Sequence, residues 1–269
     1  MNTDGARRLA GKTAVIFGAG GDVGTAVAQE FARQGARCFL SGRNGAAAKD
    51  VADFIASSGG TATAAEVDAL DEDAVNNYLD ELAATVGIDV AFNAMGPQAV
   101  EYRNGSNAMA LAVDDYMVPI TTIVRSNFIT ARSAARHLIA ARSGVLLFLS
   151  GTPSLGRSPG TSAIGSAFGA VESLTRSLAT ELGPLGVRVA CARTAGMTDT
   201  RTIQQTFAMI EQATGVAQET LRESFTSQVA LRRWPTTSET AALLSFLASD
   251  EASALTGTIV NTSCGQVLD

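Results

Sequence analysis

Short unbroken apolar runs recur along the chain, and between them lie longer stretches whose apolar residues repeat with helical spacing. The runs are Thr13 to Phe17, Arg37 to Leu40, Thr61 to Val67, Ile88 to Phe92, Val145 to Leu149, Val187 to Cys191 and Thr258 to Val260. Continuous rather than alternating hydrophobicity marks strands buried on both faces, as in a parallel sheet. The helical stretches fall at about 23–34, 46–57, 71–85, 114–141, 162–182 and 238–248. Strand and helix alternate, which predicts an α/β chain: a doubly wound parallel sheet of the Rossmann type, with about seven strands and helices on both faces.

One segment breaks the alternation. Met197 to Trp234 is helix-prone in places and lies between the sixth and seventh strands. Ligands of such sheets sit beyond the carboxyl ends of the strands, so a lid over the crevice is expected at about 197–235, the alternative being a solvated helical hairpin. No internal repeat or interdomain linker interrupts the chain. A single domain spanning 1–269 is therefore expected, long enough to bury a sizeable core.

Composition narrows the partners. The net charge of −6 provides no basic surface for phosphate backbones or anionic lipid, so neither nucleic acid nor membrane is expected as a partner. Met1 to Ala10 lacks an apolar leader, and no stretch approaches the roughly 18 apolar residues of a membrane span. Cys38, Cys191 and Cys264 lie in or beside apolar runs, as small buried hydrophobes do. A cytoplasmic location is expected. The one histidine, His137, excludes sites built on several imidazoles, and no metal is expected.

After the first strand comes Gly18-Ala19-Gly20-Gly21-Asp22-Val23-Gly24, leading directly into a helix. Glycines there permit a tight turn and let the backbone approach a pyrophosphate at the positive helix end. The strand before and the helix after distinguish this from a plain structural turn. At the end of the second strand, Leu40-Ser41-Gly42-Arg43-Asn44 has no carboxylate for a ribose 2′-hydroxyl. Arg43 can instead meet a 2′-phosphate with charge-assisted hydrogen bonds, so NADP(H) is the expected cofactor.

From Lys12 to Gly265 the chain resembles the short-chain dehydrogenase/reductase family. Gly18 to Gly24 is similar to its glycine turn, with Asp22 where the second glycine usually stands. Asn93-Ala94-Met95-Gly96 resembles its N-N-A-G motif, and Asn127 matches the asparagine of its long central helix. The resemblance implies that Asp68 and Ala69 meet the adenine, and that Asn93, Ala94, Thr194, Gly196 and Thr198 lie along the cofactor. Arg193 to Thr198 fits the family's P-G motif in two registers one residue apart. The resemblance also implies a small-molecule substrate and a homo-oligomer, tetramer or dimer, formed through the helices at 114–141 and 162–182.

The reaction half departs from the family. Its serine, tyrosine and lysine positions fall on Gly151, Ile164 and Phe168, and no lysine occurs after Lys49. Ile164 and Phe168, four apart, share one helical face, so an apolar wall is expected where the proton donor stands. Candidates for the missing donor are Ser150 and Thr152, which bracket Gly151, and Tyr102 on the loop after Gly96. Asn127 is expected to keep its family role on the long helix. His137 is read as structural. Gly156 to Gly160 matches the G-x-S-x-G pattern, but Pro159 has no N–H to give an oxyanion, which excludes a hydrolase elbow. Two functions stay open: an atypical NADP(H)-dependent oxidoreductase acting on an apolar small molecule, or a protein that binds the dinucleotide without turning it over.

Overall fold

A computed structural model of the chain describes residues 7–268. Its strands are β1 (Thr13–Phe17), β2 (Arg37–Gly42), β3 (Thr61–Glu66), β4 (Val90–Asn93), β5 (Val145–Gly151), β6 (Arg188–Thr194) and β7 (Thr258–Thr262). All seven lie parallel in the order β3-β2-β1-β4-β5-β6-β7. The order reverses between β1 and β4, which opens a crevice at their carboxyl ends.

Side-chain alternation along each strand feeds two cores. From β1, Ala14 and Ile16 pack toward α1 (Asp22–Arg33), α2 (Gly45–Ser57) and α9 (Thr237–Ala248). Val15 and Phe17 pack toward α3 (Glu72–Thr85), α5 (Arg125–Ala141) and α6 (Ser162–Leu182). All five residues of β1 are buried, which is why its apolar run is unbroken. Each buried Phe or Leu contributes about 1.5–3 kcal/mol by leaving water.

Helix ends follow side-chain chemistry. Asn44 and Asp71 cap α2 and α3 by accepting the N–H groups of Ala47 and Ala74. Thr236 and Glu239 form a reciprocal capping box at the start of α9.

The expected helix at 114–141 is not continuous. It divides into α4 (Val113–Pro119), a π turn (Ile120–Val124) and α5. Pro119 has no N–H to donate, and the Asn127 side chain takes the Ile123 carbonyl at 2.8 Å, so the ladder widens there. Between Met197 and Trp234 lie α7 (Arg201–Thr214) and α8 (Gln218–Thr226). No helix of the described residues is long and apolar enough to cross a membrane.

Candidate functional site

The glycine turn forms as only glycine permits. Gly18 has φ +72°, and a Cβ on Gly24 would lie 2.2 Å from the Gly18 carbonyl oxygen. Gly20 has a different constraint, since its Cβ would meet the Ala47 methyl of α2 at 2.7 Å. Gly21 is the N-cap of α1 and no side chain caps the helix, so the first N–H groups, at Asp22, Val23 and Gly24, face the crevice end of the helix. This cradle fits a pyrophosphate. The Asp22 carboxylate is directed elsewhere: its two oxygens accept the backbone N–H and Nε of Arg201, at 2.7 and 3.0 Å.

Beyond β2, Arg43 is exposed, and Asn44 beside it caps α2. After β3, Asp68 accepts the N–H of Leu70 at 2.9 Å, and Ala69 is buried next to it. Asn93 ends β4 and is buried. Its amide donates to Ser126 and Thr130 at 3.1 and 3.3 Å, while its Oδ1 accepts the N–H of Met95 at 2.8 Å. The N–H of Ala94 meets the Phe17 carbonyl at 2.9 Å, tying the turn to β1. Asn127 Oδ1 is buried without a partner among the described residues.

At the end of β6, Thr194 pairs in register with Gly151 on one side and Thr262 on the other, its hydroxyl buried and without a partner among the described residues. Gly196 lies under Trp234, whose ring a Cβ there would meet at 2.9 Å. Trp234 stacks on Phe207 of α7, with centroids 5.7 Å apart and planes 11° apart. Thr198 is half-buried between β6 and α7, and Thr200 caps α7.

On the reaction side, Ile164 is buried in the core beneath the crevice and α6 carries neither tyrosine nor lysine. Phe168 lies so close to Gly151 that a Cβ there would be 2.8 Å from its Cε2. Ser150 donates to Glu172 at 2.8 Å and Thr152 to Gln266 at 2.9 Å. Tyr102, on the turn Ala99–Tyr102, is buried rather than on the surface, and burial, with Glu101 second, raises its phenol pKa. Burial pushes the Cys38 and Cys191 thiols up to about 12, so neither is a nucleophile at neutral pH. His137 Nε2 lies 2.9 Å from Asp80, away from the crevice on the outer part of α5.

Sequence reasoning missed the ion pair beneath this site. Glu172 Oε1 accepts Ser150, Ser154 and Arg193 Nε at 2.8, 2.7 and 2.8 Å, and Oε2 accepts Arg193 Nη2 at 2.7 Å. Both charged groups are buried. Two signals pointed to it: an arginine directly after the apolar stretch 189–192 of one strand, and an acid four residues after Phe168 on the same helical face.

The family model described as enoyl-(acyl carrier protein) reductase matches residues 18–266. The meso-2,3-butanediol dehydrogenase of Serratia marcescens is 29% identical over 253 residues, 93% of this chain and 92% of that one. The 3-oxoacyl-[acyl-carrier-protein] reductase of Aquifex aeolicus is 25% identical over 260 residues, 96% of this chain and 98% of that one. Among solved structures, a putative NAD(P)-dependent gluconate 5-dehydrogenase from Beutenbergia cavernae, with bound NADP, superposes with TM-score 0.83. It is 30% identical, with 97% of this chain and 99% of that one covered.

Proposed function

Because the chain belongs to the short-chain dehydrogenase/reductase family and is an oxidoreductase of that kind, we propose that it uses NADP(H) to reduce or oxidise an apolar small molecule. In this reading the proton is delivered by a group other than a tyrosine–lysine pair. When bound, the dinucleotide supplies or accepts the hydride.

The observation that carries the reading is the Phe168 ring against Gly151. It supports a reaction centre in which a phenyl ring takes the space of the family's serine side chain. Ile164 and Phe168 exclude water and select an apolar substrate. Positioning alone lowers the barrier for hydride transfer by several kcal/mol, on the order of 7–11 at best. Ser150 directs its proton to Glu172 and Thr152 to Gln266. Proton delivery therefore falls to Thr152 after it releases Gln266, to water or to the substrate itself.

NADP(H) is preferred because Arg43 is exposed at the end of β2 and the turn holds no carboxylate. The Beutenbergia relative, crystallised with NADP, is in keeping with this. The segment from Met197 to Trp234 acts as the lid, and the working form is a homo-oligomer joined through α4, α5 and α6.

The test is NADPH binding by fluorescence, followed by absorbance of NADPH with a panel of apolar ketones, enones and imines. Stoichiometric oxidation with one of them is the expected result. Binding without oxidation across the panel would sink the hydride-transfer reading and leave a dinucleotide-binding protein.

A further inference from the structure

The glycine turn carries an acid at its most sensitive point. Asp22 is the first residue of α1, so its negative charge stands beside the positive helix end that the pyrophosphate of a dinucleotide needs. Left free, that negative charge would oppose the phosphates. It is not left free: Arg201 grips it with a backbone N–H and with Nε, across 179 residues of sequence. Arg201 is also the first residue of α7.

We propose that Arg201 is a cofactor-positioning residue, which neutralises Asp22 so that the turn accepts a dinucleotide pyrophosphate and thereby couples cofactor binding to the docking of α7. The proposal rests on the NADP(H) reading above. Substitution of glycine by aspartate in the turn is then compatible with phosphate binding only because the lid brings its own cation. The pairing also explains why the aspartate is useful. A glycine would bind phosphate but could not hold the start of α7.

The lid has other anchors, so loss of this pair does not release it. Asn104 donates to Thr206 of α7 at 3.1 Å, and Asp199 accepts the N–H and hydroxyl of Thr237. A built-in reporter lies on the same unit, because the only tryptophan of the chain, Trp234, stacks on Phe207 of α7.

The test is titration of the full-length protein with NADPH, read by calorimetry and by Trp234 fluorescence. Arg201→Ala is expected to weaken binding about tenfold or more, since an uncompensated carboxylate then faces the phosphates. Asp22→Asn with Arg201→Ala is expected to return the affinity to within about threefold of the parent, because the opposing charge is gone. Arg201→Lys, which keeps the cation, is expected to stay within about threefold as well, and provides the answer should Arg201→Ala fold poorly. High salt is expected to shrink the ratio between Arg201→Ala and parent, since it screens the repulsion.

A merely structural latch predicts a different pattern. The single and double variants would then weaken binding equally and without salt dependence, which overturns the proposal. If Arg201→Ala binds NADPH as tightly as the parent, it is also overturned. A parent protein that binds neither NADPH nor NADH brings down the dinucleotide reading itself, and is recognised because the parent titration is flat.

Discussion

Gly151 and Phe168 occupy one another's space: a methyl group on Gly151 would lie 2.8 Å from the Phe168 ring. In the proposed reading these two positions correspond to the serine and the lysine of the family. A phenyl ring fits there only while residue 151 has no side chain.

That coupling is measurable as non-additivity. Gly151→Ala is expected to destabilise by about 1–3 kcal/mol through overpacking. In a Phe168→Ala background the same change is expected to cost less than about 1 kcal/mol. Urea unfolding of the four proteins gives the cycle, and equal costs in both backgrounds would refute the tight contact.

In the proposed reading, placing the family's groups together at the aligned positions is expected to confer its chemistry. The combination Gly151→Ser, Ile164→Tyr and Phe168→Lys places a hydroxyl, a phenol and an ammonium on elements that already have the right spacing. NADPH oxidation with a ketone is expected to rise by about 10²–10⁴-fold over the parent, the usual contribution of general acid catalysis. A folded triple variant with no gain would locate the altered chemistry elsewhere.

The buried Glu172–Arg193 pair gives the protein an acid-sensitive joint between α6, β5 and β6. Burial acts to raise the Glu172 pKa, but hydrogen bonds from Arg193, Ser154 and Ser150 and the arginine's charge outweigh it, holding the carboxyl below 4.5. A carboxylate depressed in the folded state stabilises fully above its unfolded pKa, and that stabilisation is lost as pH falls through the folded value. Unfolding free energy is therefore expected to decline as the pH drops below about 4.5. Glu172→Gln is expected to flatten that decline, and at neutral pH to cost about 3–5 kcal/mol, the usual penalty for removing one member of a buried ion pair. Thermal unfolding across an acid pH series, parent against variant, checks both.

In the proposed reading, cofactor choice depends on one exposed side chain, Arg43. Arg43→Ala is expected to weaken NADPH binding by about 10- to 150-fold, from loss of charged hydrogen bonds worth about 1.5–3 kcal/mol. NADH affinity should stay nearly unchanged. Calorimetry with both dinucleotides decides it, and an equal loss for both would remove the basis for preferring the phosphorylated one.

The architecture was legible in the sequence because it depends on local periodicity. The run Thr13–Phe17 and the stretch 162–182 coincide with β1 and α6 to the residue. The glycine turn was legible too, since positive φ and close backbone approach leave glycine as the only choice at Gly18 and Gly24. The break at Pro119 to Val124 had a visible proline, but its π geometry depends on the carbonyl that Asn127 takes.

Tertiary structure alone decided which groups meet. Nothing along the chain says that Ser150 faces Glu172, that Asp22 reaches Arg201, or that Phe168 closes over Gly151. Spacing reports which face of an element a residue occupies. It does not report what another element, distant in sequence, presents to that face. The fold class follows from short-range hydrophobic patterning, whereas the chemistry of the crevice follows from long-range packing that only the folded chain defines.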